Sequence, residues 1–180
     1  SPVVVYSLRP GTAGYEATDV GDNVERVIGY PKREVLLPDF WSEHVHPDDR
    51  DEAIARSRTL MVEGIIEHEY RFRHRDGHFI WIRDRLRAEK DAAGRLVELV
   101  GSWQEVTSQK VAEAEIRKLS AVIEQSPNGV IITDIEANTV YVNEAFIRHT
   151  GYSREEMIGR NPRILQSGRT PRATYEAMWG

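Results

Sequence analysis

No cysteine occurs in the 180 residues, so disulfides, thiolate metal sites and cysteine nucleophiles are excluded within this sequence. No apolar run is long enough to cross a bilayer, and no secretory signal stands at the start. A basic excess is missing too: 24 Lys and Arg against 29 Asp and Glu give a net charge of −5, which argues against nucleic-acid binding. There is no phosphate-cradling glycine loop and no nucleophile, base and orienting group at useful spacing, so the chain is read as a non-enzyme. These absences lead to the expectation of a cytoplasmic module without membrane contact. The chain opens on Ser1 rather than Met and runs directly into an apolar strand, which suggests a piece of a longer protein. Its 40% apolar content suffices for one good core and part of another.

What is present is organised around residues 67–107, which read as three antiparallel strands joined by two short turns. His68, Tyr70 and Phe72 share one parity; Ile80, Ile82, Asp84 and Leu86 share another. For Phe72 and Ile82 to lie on one face, the loop between them must hold an odd number of residues. The spacing therefore predicts a three-residue turn at Arg75, Asp76 and Gly77, with a second turn around Asp91 and Gly94. The inner face is then Tyr70, Phe72, Ile80, Ile82, Leu86, Leu99 and Trp103, with Asp84 unexpectedly among them. The outer face carries Trp81 amid Arg71, Arg73, Arg83, Arg85 and Arg87.

Two readings of the inner polar groups stand side by side. In one, Tyr70, Asp84 and His68 hold a small polar ligand within walls of Phe72, Ile82 and Trp103. In the other, Asp84 pairs with an arginine or a backbone amide, and His68 half reaches water near a strand end. The arginines either bind anions or form a solvated face balanced by Glu67, Glu69 and Glu89. An indole ringed by arginines has the composition of an interface centre, so Trp81 is expected to be covered by a helix or a partner chain. Among the six histidines only the pair His44-x-His46 is picked out, and no metal site is expected from it.

Upstream, strands are expected over residues 3–8 and 15–20. Asn23 is expected to cap a helix bearing Val24, Val27 and Ile28, and helical turns follow with Leu36, Leu37, Phe40 and Trp41. A longer helix starts at Pro47 and ends at Gly64, with Ala53, Ile54, Ser57, Leu60 and Met61 on one face. Downstream, residues 108–124 lack glycine and proline and carry Ala112, Ile116, Leu119 and Ile123 at helical spacing. That is a narrow seam, suited to a homodimer or to packing against its own domain, on a helix that the Thr107 hydroxyl can cap.

The chain then repeats itself. Ser126-Pro127 followed by an apolar run matches Ser1-Pro2, and Gly151-Tyr152 matches Gly29-Tyr30. This divides the chain into a domain over 1–107, a connecting helix over 108–125, and the first part of a second domain over 126–180. Without covering strands, Val130, Ile132, Val142, Phe146, Ile147 and Ile164 are expected to stay partly exposed and to seek a partner.

The order of elements resembles a PAS domain. The stretch YRFRHRDGHFIWIRDR with GSWQEVT is similar to the C-terminal PAS segment and its closing Asp-Ile-Thr motif, here Glu105-Val106-Thr107. FWSEHVHPDDR resembles the family's central helix entry, and GYSREEMIGRNPRILQSGRTPRATYEAMW resembles the middle of a bacterial sensory PAS domain. The resemblance implies an α+β fold, a five-stranded antiparallel sheet with short helices on one face. It further implies a sensor of a bacterial two-component or cyclic-dinucleotide signalling protein, relaying through Glu105, Val106 and Thr107 to an output domain outside this chain. A ligand-free dimerisation scaffold is the alternative. Where light sensors of the superfamily carry a reactive cysteine this chain has Pro162, and where they carry a flavin-contacting glutamine it has Trp103. Cysteinyl-flavin photochemistry is accordingly excluded, haem bound through His44 or His46 is disfavoured, and the cofactor is otherwise left open.

Overall fold

The computed structural model describes residues 2–11 and 15–166, and the chain divides into two compact units, Ser1–Ala112 and Glu113–Gly180. In the first, β1 (Val3–Pro10) and β2 (Tyr15–Val20) precede α1 (Val24–Ile28), α2 (Lys32–Val35), α3 (Phe40–His44) and α4 (Pro47–Glu63). Three long strands follow, β3 (Ile65–Arg73), β4 (Phe79–Lys90) and β5 (Leu96–Glu105), and then α5 (Thr107–Gln125). The sheet order is β2-β1-β5-β4-β3 and every pairing is antiparallel.

Turn chemistry sets the register. The His74 N–H donates to the His78 carbonyl at 2.8 Å and Gly77 has φ 99°, which leaves Arg75, Asp76 and Gly77 as the three-residue turn that alternation requires. Tyr70 consequently stands opposite Ile82 and Phe72 opposite Ile80. All seven residues assigned to the inner face are buried. Around them pack Val4, Tyr6, Val24, Ile28, Phe40, Ala53 and Leu60 from the other elements.

Some local expectations fail. Asn23 stands at the start of α1 but its side chain does not cap it; the amide donates to the Val3 carbonyl at 2.8 Å and ties the helix to β1. On α4, Ala53 and Leu60 are buried whereas Met61 is 41% exposed, because the helix meets the sheet along a narrow stripe. Leu37 is likewise exposed. What anchors α4 is polar. Asp49 accepts the Arg71 backbone N–H at 2.8 Å and its Nε at 2.9 Å on one oxygen, and Arg71 Nη2 at 2.5 Å on the other. The guanidinium holds the Asp49 carboxyl below its usual range.

One glycine is dictated by packing. Gly101 on β5 pairs with Tyr6 on β1 and Leu86 on β4, and a Cβ at this position would overlap the Tyr6 ring. Only glycine lets Tyr6 lie across the strand toward the middle of the sheet.

In the second unit, β6 (Ile131–Thr133) and β7 (Thr139–Val142) form a hairpin followed by α6 (Glu144–Thr150), α7 (Arg154–Met157) and a 3-10 turn (Pro162–Leu165). Asn143 is fully buried and holds this unit together: Oδ1 accepts the N–H groups of Val130 and Phe146, while Nδ2 donates to the carbonyls of Ile123 and Asn128. Val142, Phe146 and Met157 make a small core with Ile131, Ile147 and Ile164 against it. Val142 and Phe146 are thus buried, contrary to the exposure expected of them, because the hairpin and α6 fold onto each other; Ile132 remains 43% exposed. Pro162 opens the 3-10 turn, with Asn161 Oδ1 accepting the Arg163 N–H at 3.0 Å. The family-like stretch beyond Gln166 lies outside the described residues.

Candidate functional site

The inner face of the first unit carries a polar cluster built on Asp84. Strand pairing sets His68 on one side of it and Trp103 on the other. Its carboxylate accepts the Tyr6 hydroxyl at 2.7 Å on Oδ1 and the Tyr70 hydroxyl at 2.8 Å on Oδ2. Trp41 Nε1 donates in turn to the Tyr70 oxygen at 2.8 Å, and His68 Nε2 lies 3.6 Å from Asp84 Oδ2. Burial, with the carboxylate beside them, pushes both phenols well above the ordinary tyrosine value. The rings of Tyr6 and Trp103 pack at 5.0 Å and those of Phe72 and Trp103 at 5.6 Å, closing the cluster from below.

His68, Tyr70, Asp84 and Trp103 therefore converge as the strand parity required, with Phe72 and Ile82 in the wall. Asp84 has neither the arginine nor the backbone amide expected as its partner; two phenols serve instead. The His68 side chain, expected to half reach water, is only 11% exposed. Tyr6 and Trp41 were missed. Tyr6 shares its parity with Val4 and Leu8, which makes it inward-facing by sequence, but only the placing of β1 beside β5 carries its hydroxyl to Asp84. The Trp103 indole N–H is buried and faces the Tyr6 and Tyr70 oxygens without a hydrogen bond of good geometry. An open cleft of about 620 Å³ lies between α4 and β3, lined by Asp49, Ala53, Arg56, Thr59, His68 and Trp81. His68 is thus the side chain standing between this cleft and Asp84.

At the end of the sheet, β4 holds the start of α5 by two bonds. The Val106 N–H donates to the Trp81 carbonyl at 2.8 Å, and Thr107 Oγ1 accepts the Trp81 N–H at 2.9 Å. The hydroxyl expected as a helix cap is therefore engaged by the strand. Glu105 Oε1 accepts the Thr107 N–H at 2.7 Å and supplies the cap itself. On the outer face, Lys110 of α5 stands 5.1 Å over the Trp81 ring and Arg71 5.9 Å from it, so the indole is half-buried by cations. Lys110 also pairs with Glu69, which Arg83 holds at 2.8 Å. Of the arginine ladder, Arg71, Arg83 and Arg87 are ion-paired, and Arg73, Arg85 and Arg87 are exposed.

No residue of α5 is buried. Ala112, Ile116 and Leu119 of the seam are exposed, the latter two by 65% and 57%, and Ile123 is half-buried. His44 stacks on Phe40 at 4.1 Å with its Nδ1 2.7 Å from the Phe40 carbonyl, and the His46 ring accepts the Asp48 N–H at the head of α4. Among the described residues, no helix is long and apolar enough to cross a membrane.

Known proteins match both units. Family models described as PAS fold match residues 17–103 and residues 117–180. The two-component sensor PprA of Pseudomonas aeruginosa is 30% identical over 168 residues, covering 89% of this chain and 18% of that protein. Sensor protein FixL of Bradyrhizobium diazoefficiens is 25% identical over 154 residues, covering 83% of this chain and 30% of that protein. The chain thus spans less than a third of the length of either relative. Among solved structures, a sensory box histidine kinase/response regulator from Burkholderia thailandensis aligns with TM-score 0.54 and 27% identity over 69% of this chain and 92% of that chain.

The relatives also correct the cofactor expectation. Blue-light-activated histidine kinase 1 of Erythrobacter litoralis is 61% identical over 31 residues, covering 17% of this chain and 9% of that protein. Phototropin-2 of Oryza sativa is 32% identical over 84 residues, covering 45% of this chain and 9% of that protein. With these and FixL among the relatives, the cofactor expectation is withdrawn: neither flavin nor haem is set aside, while the lack of cysteine in this sequence bars only a cysteinyl adduct. A missing thiol speaks to one covalent bond and not to binding, and a bulky Trp103 speaks to one ring position.

Proposed function

Because the chain belongs to the PAS family, with a match in each of its units, and is a regulatory signal-sensing module, we propose that its first unit senses at the Asp84 cluster and relays through α5. The receiver is an output domain elsewhere in the parent protein, of the kind a two-component sensor carries, and the setting is cytoplasmic. The observation that carries this reading is the junction at Trp81. Both backbone polar groups of this residue, near the start of the interior strand β4, are bonded to Val106 and Thr107 where α5 begins. A shift of β4 against its neighbours cannot occur without moving or breaking those bonds.

The sensing end rests on the buried Trp103 N–H, which faces the Tyr6 and Tyr70 oxygens without a well-formed hydrogen bond, and on His68 between the cleft and Asp84. A small polar ligand that accepts from the indole and competes for Asp84 would rearrange Tyr6 and Tyr70 together. One observation favours the alternative of a ligand-free scaffold: both oxygens of Asp84 are already taken by phenols.

In either reading α5 is also the dimer contact, supported by the exposed Ile116 and Leu119 on its seam. Sedimentation equilibrium is expected to give a dimer for the unaltered chain and a monomer for the double variant Ile116→Glu, Leu119→Glu. An unaltered chain that is monomeric, or a double variant that stays dimeric, sinks the dimer assignment.

A further inference from the structure

Five residues at the tip of the β3–β4 hairpin bring together two imidazoles and a carboxylate. His74 Nδ1 lies 2.9 Å from Asp76 Oδ1, and His78 Nδ1 lies 2.5 Å from the same oxygen. Ligand atoms of all three residues fall within 4.8 Å of one another, and the two rings stack at 4.9 Å with 21° between their planes. His-x-Asp-x-His was passed over in the sequence, since only the turn that folds it back brings the three atoms to one point.

The neighbours of His74 Nδ1 make opposing hydrogen-bonding demands on it. The Asp76 backbone N–H points at His74 Nδ1 from 3.4 Å, which calls for an unprotonated nitrogen. The carboxylate oxygen 2.9 Å from the same nitrogen calls for a protonated one. A cation held jointly by Nδ1 and Oδ1 would take the single lone pair of the unprotonated imidazole, in place of the long 3.4 Å N–H contact, and neutralise the carboxylate at once. The turn's own cation does not take that role: Arg75 is drawn off by Glu34 at 3.5 Å and by the Tyr30 ring at 5.8 Å.

The hairpin is also held in shape from outside. The Arg75 N–H donates to the Ile28 carbonyl at 3.1 Å, Gly77 holds its positive φ, and the His74 ring rests so close to Gly29 that a Cβ there would meet Cε1 at 2.8 Å. Zinc bonds of about 2.0–2.2 Å to nitrogen and oxygen put tetrahedral ligands about 3.3 Å apart. Reaching that from 2.9 and 2.5 Å needs only a small opening by Asp76 and His78, whose side chains are 59% and 58% exposed.

We propose that His74, Asp76 and His78 form a binding site for one Zn²⁺ ion at the hairpin tip. Two imidazoles with one carboxylate suit zinc and disfavour the all-oxygen preference of calcium and magnesium. Three protein ligands leave a fourth position open to water or to a ligand from another molecule. The site stands apart from the Asp84 cluster and does not depend on the sensing role.

The test is a titration of Zn²⁺ into the whole tandem chain, freed of any affinity tag, in competition with a chromophoric chelator. The unaltered chain is expected to bind one ion saturably. Asp76→Asn and His78→Ala are each expected to weaken binding at least about tenfold, since loss of a mere supporting partner already costs that much. His149→Ala, an exposed histidine of α6, is expected to change nothing. Absence of saturable binding, retention of full affinity in either hairpin variant, or equal weakening by His149→Ala overturns the proposal.

Discussion

Asp84→Ala is expected to destabilise the first unit by about 4 kcal/mol, because two buried hydroxyls lose their acceptor at once and each orphan costs about 1–3 kcal/mol. Tyr6 and Tyr70 come from different parts of the chain, and both donate to this carboxylate inside an otherwise apolar core. Water cannot replace it, since all three residues are buried. The loss is not a property of Asp84 alone. In the triple variant Asp84→Leu, Tyr6→Phe, Tyr70→Phe the orphaned donors are gone together with their acceptor, and most of the stability is expected to return. The return is incomplete because Trp41 Nε1 then loses the Tyr70 oxygen. Urea midpoints of the single and triple variants check both statements; a triple variant weaker than Asp84→Ala contradicts the account.

The same cluster makes the fold sensitive to alkali. Both phenols are held protonated well above their ordinary pKa of about 10, whereas in the unfolded chain they ionise near that value. Above about pH 10 the unfolded state therefore binds fewer protons than the folded one, and stability falls as pH rises. The contribution is fully present below pH 10 and is lost as pH climbs toward the folded pKa values. Each tyrosine contributes a slope of about 1.4 kcal/mol per pH unit, so the pair gives about 2.7. Denaturation midpoints from pH 9 to 11.5 are expected to show this steep fall, and Tyr6→Phe or Tyr70→Phe to halve it. A slope unchanged in both variants would assign the alkaline loss elsewhere.

Much of this site was legible because side-chain direction along a strand repeats every two residues regardless of what lies beside it. That periodicity sufficed to put His68, Tyr70, Asp84 and Trp103 on one face and to demand an odd turn at Arg75–Gly77. It could not show that Asp84 meets tyrosines. Tyr6 reaches it from 78 residues away only because β1 inserts next to β5 and because Gly101 leaves the strand bare beneath the ring. Side-chain bonds at element ends were the least legible. Asn23 and Thr107 stand where capping residues stand, yet Asn23 serves Val3 and Thr107 serves Trp81, and in both cases a neighbouring strand outcompetes the helix. Asn143 passed unnoticed because its four partners are backbone groups, which carry no sequence signature.

The claim that the sensor sheet and α5 are coupled at Trp81 is tested most directly by amide hydrogen exchange in Thr107→Val. This substitution keeps the side-chain shape and removes only the oxygen that accepts the Trp81 N–H. A bond worth about 1 kcal/mol corresponds to roughly fivefold faster opening. The account predicts that rise at Trp81 and, with it, in the first turn of α5 at Thr107 and Lys110, while amides between β1 and β5 keep their protection. Faster exchange at Trp81 with α5 unchanged would mean that the junction is a local bond and not a relay.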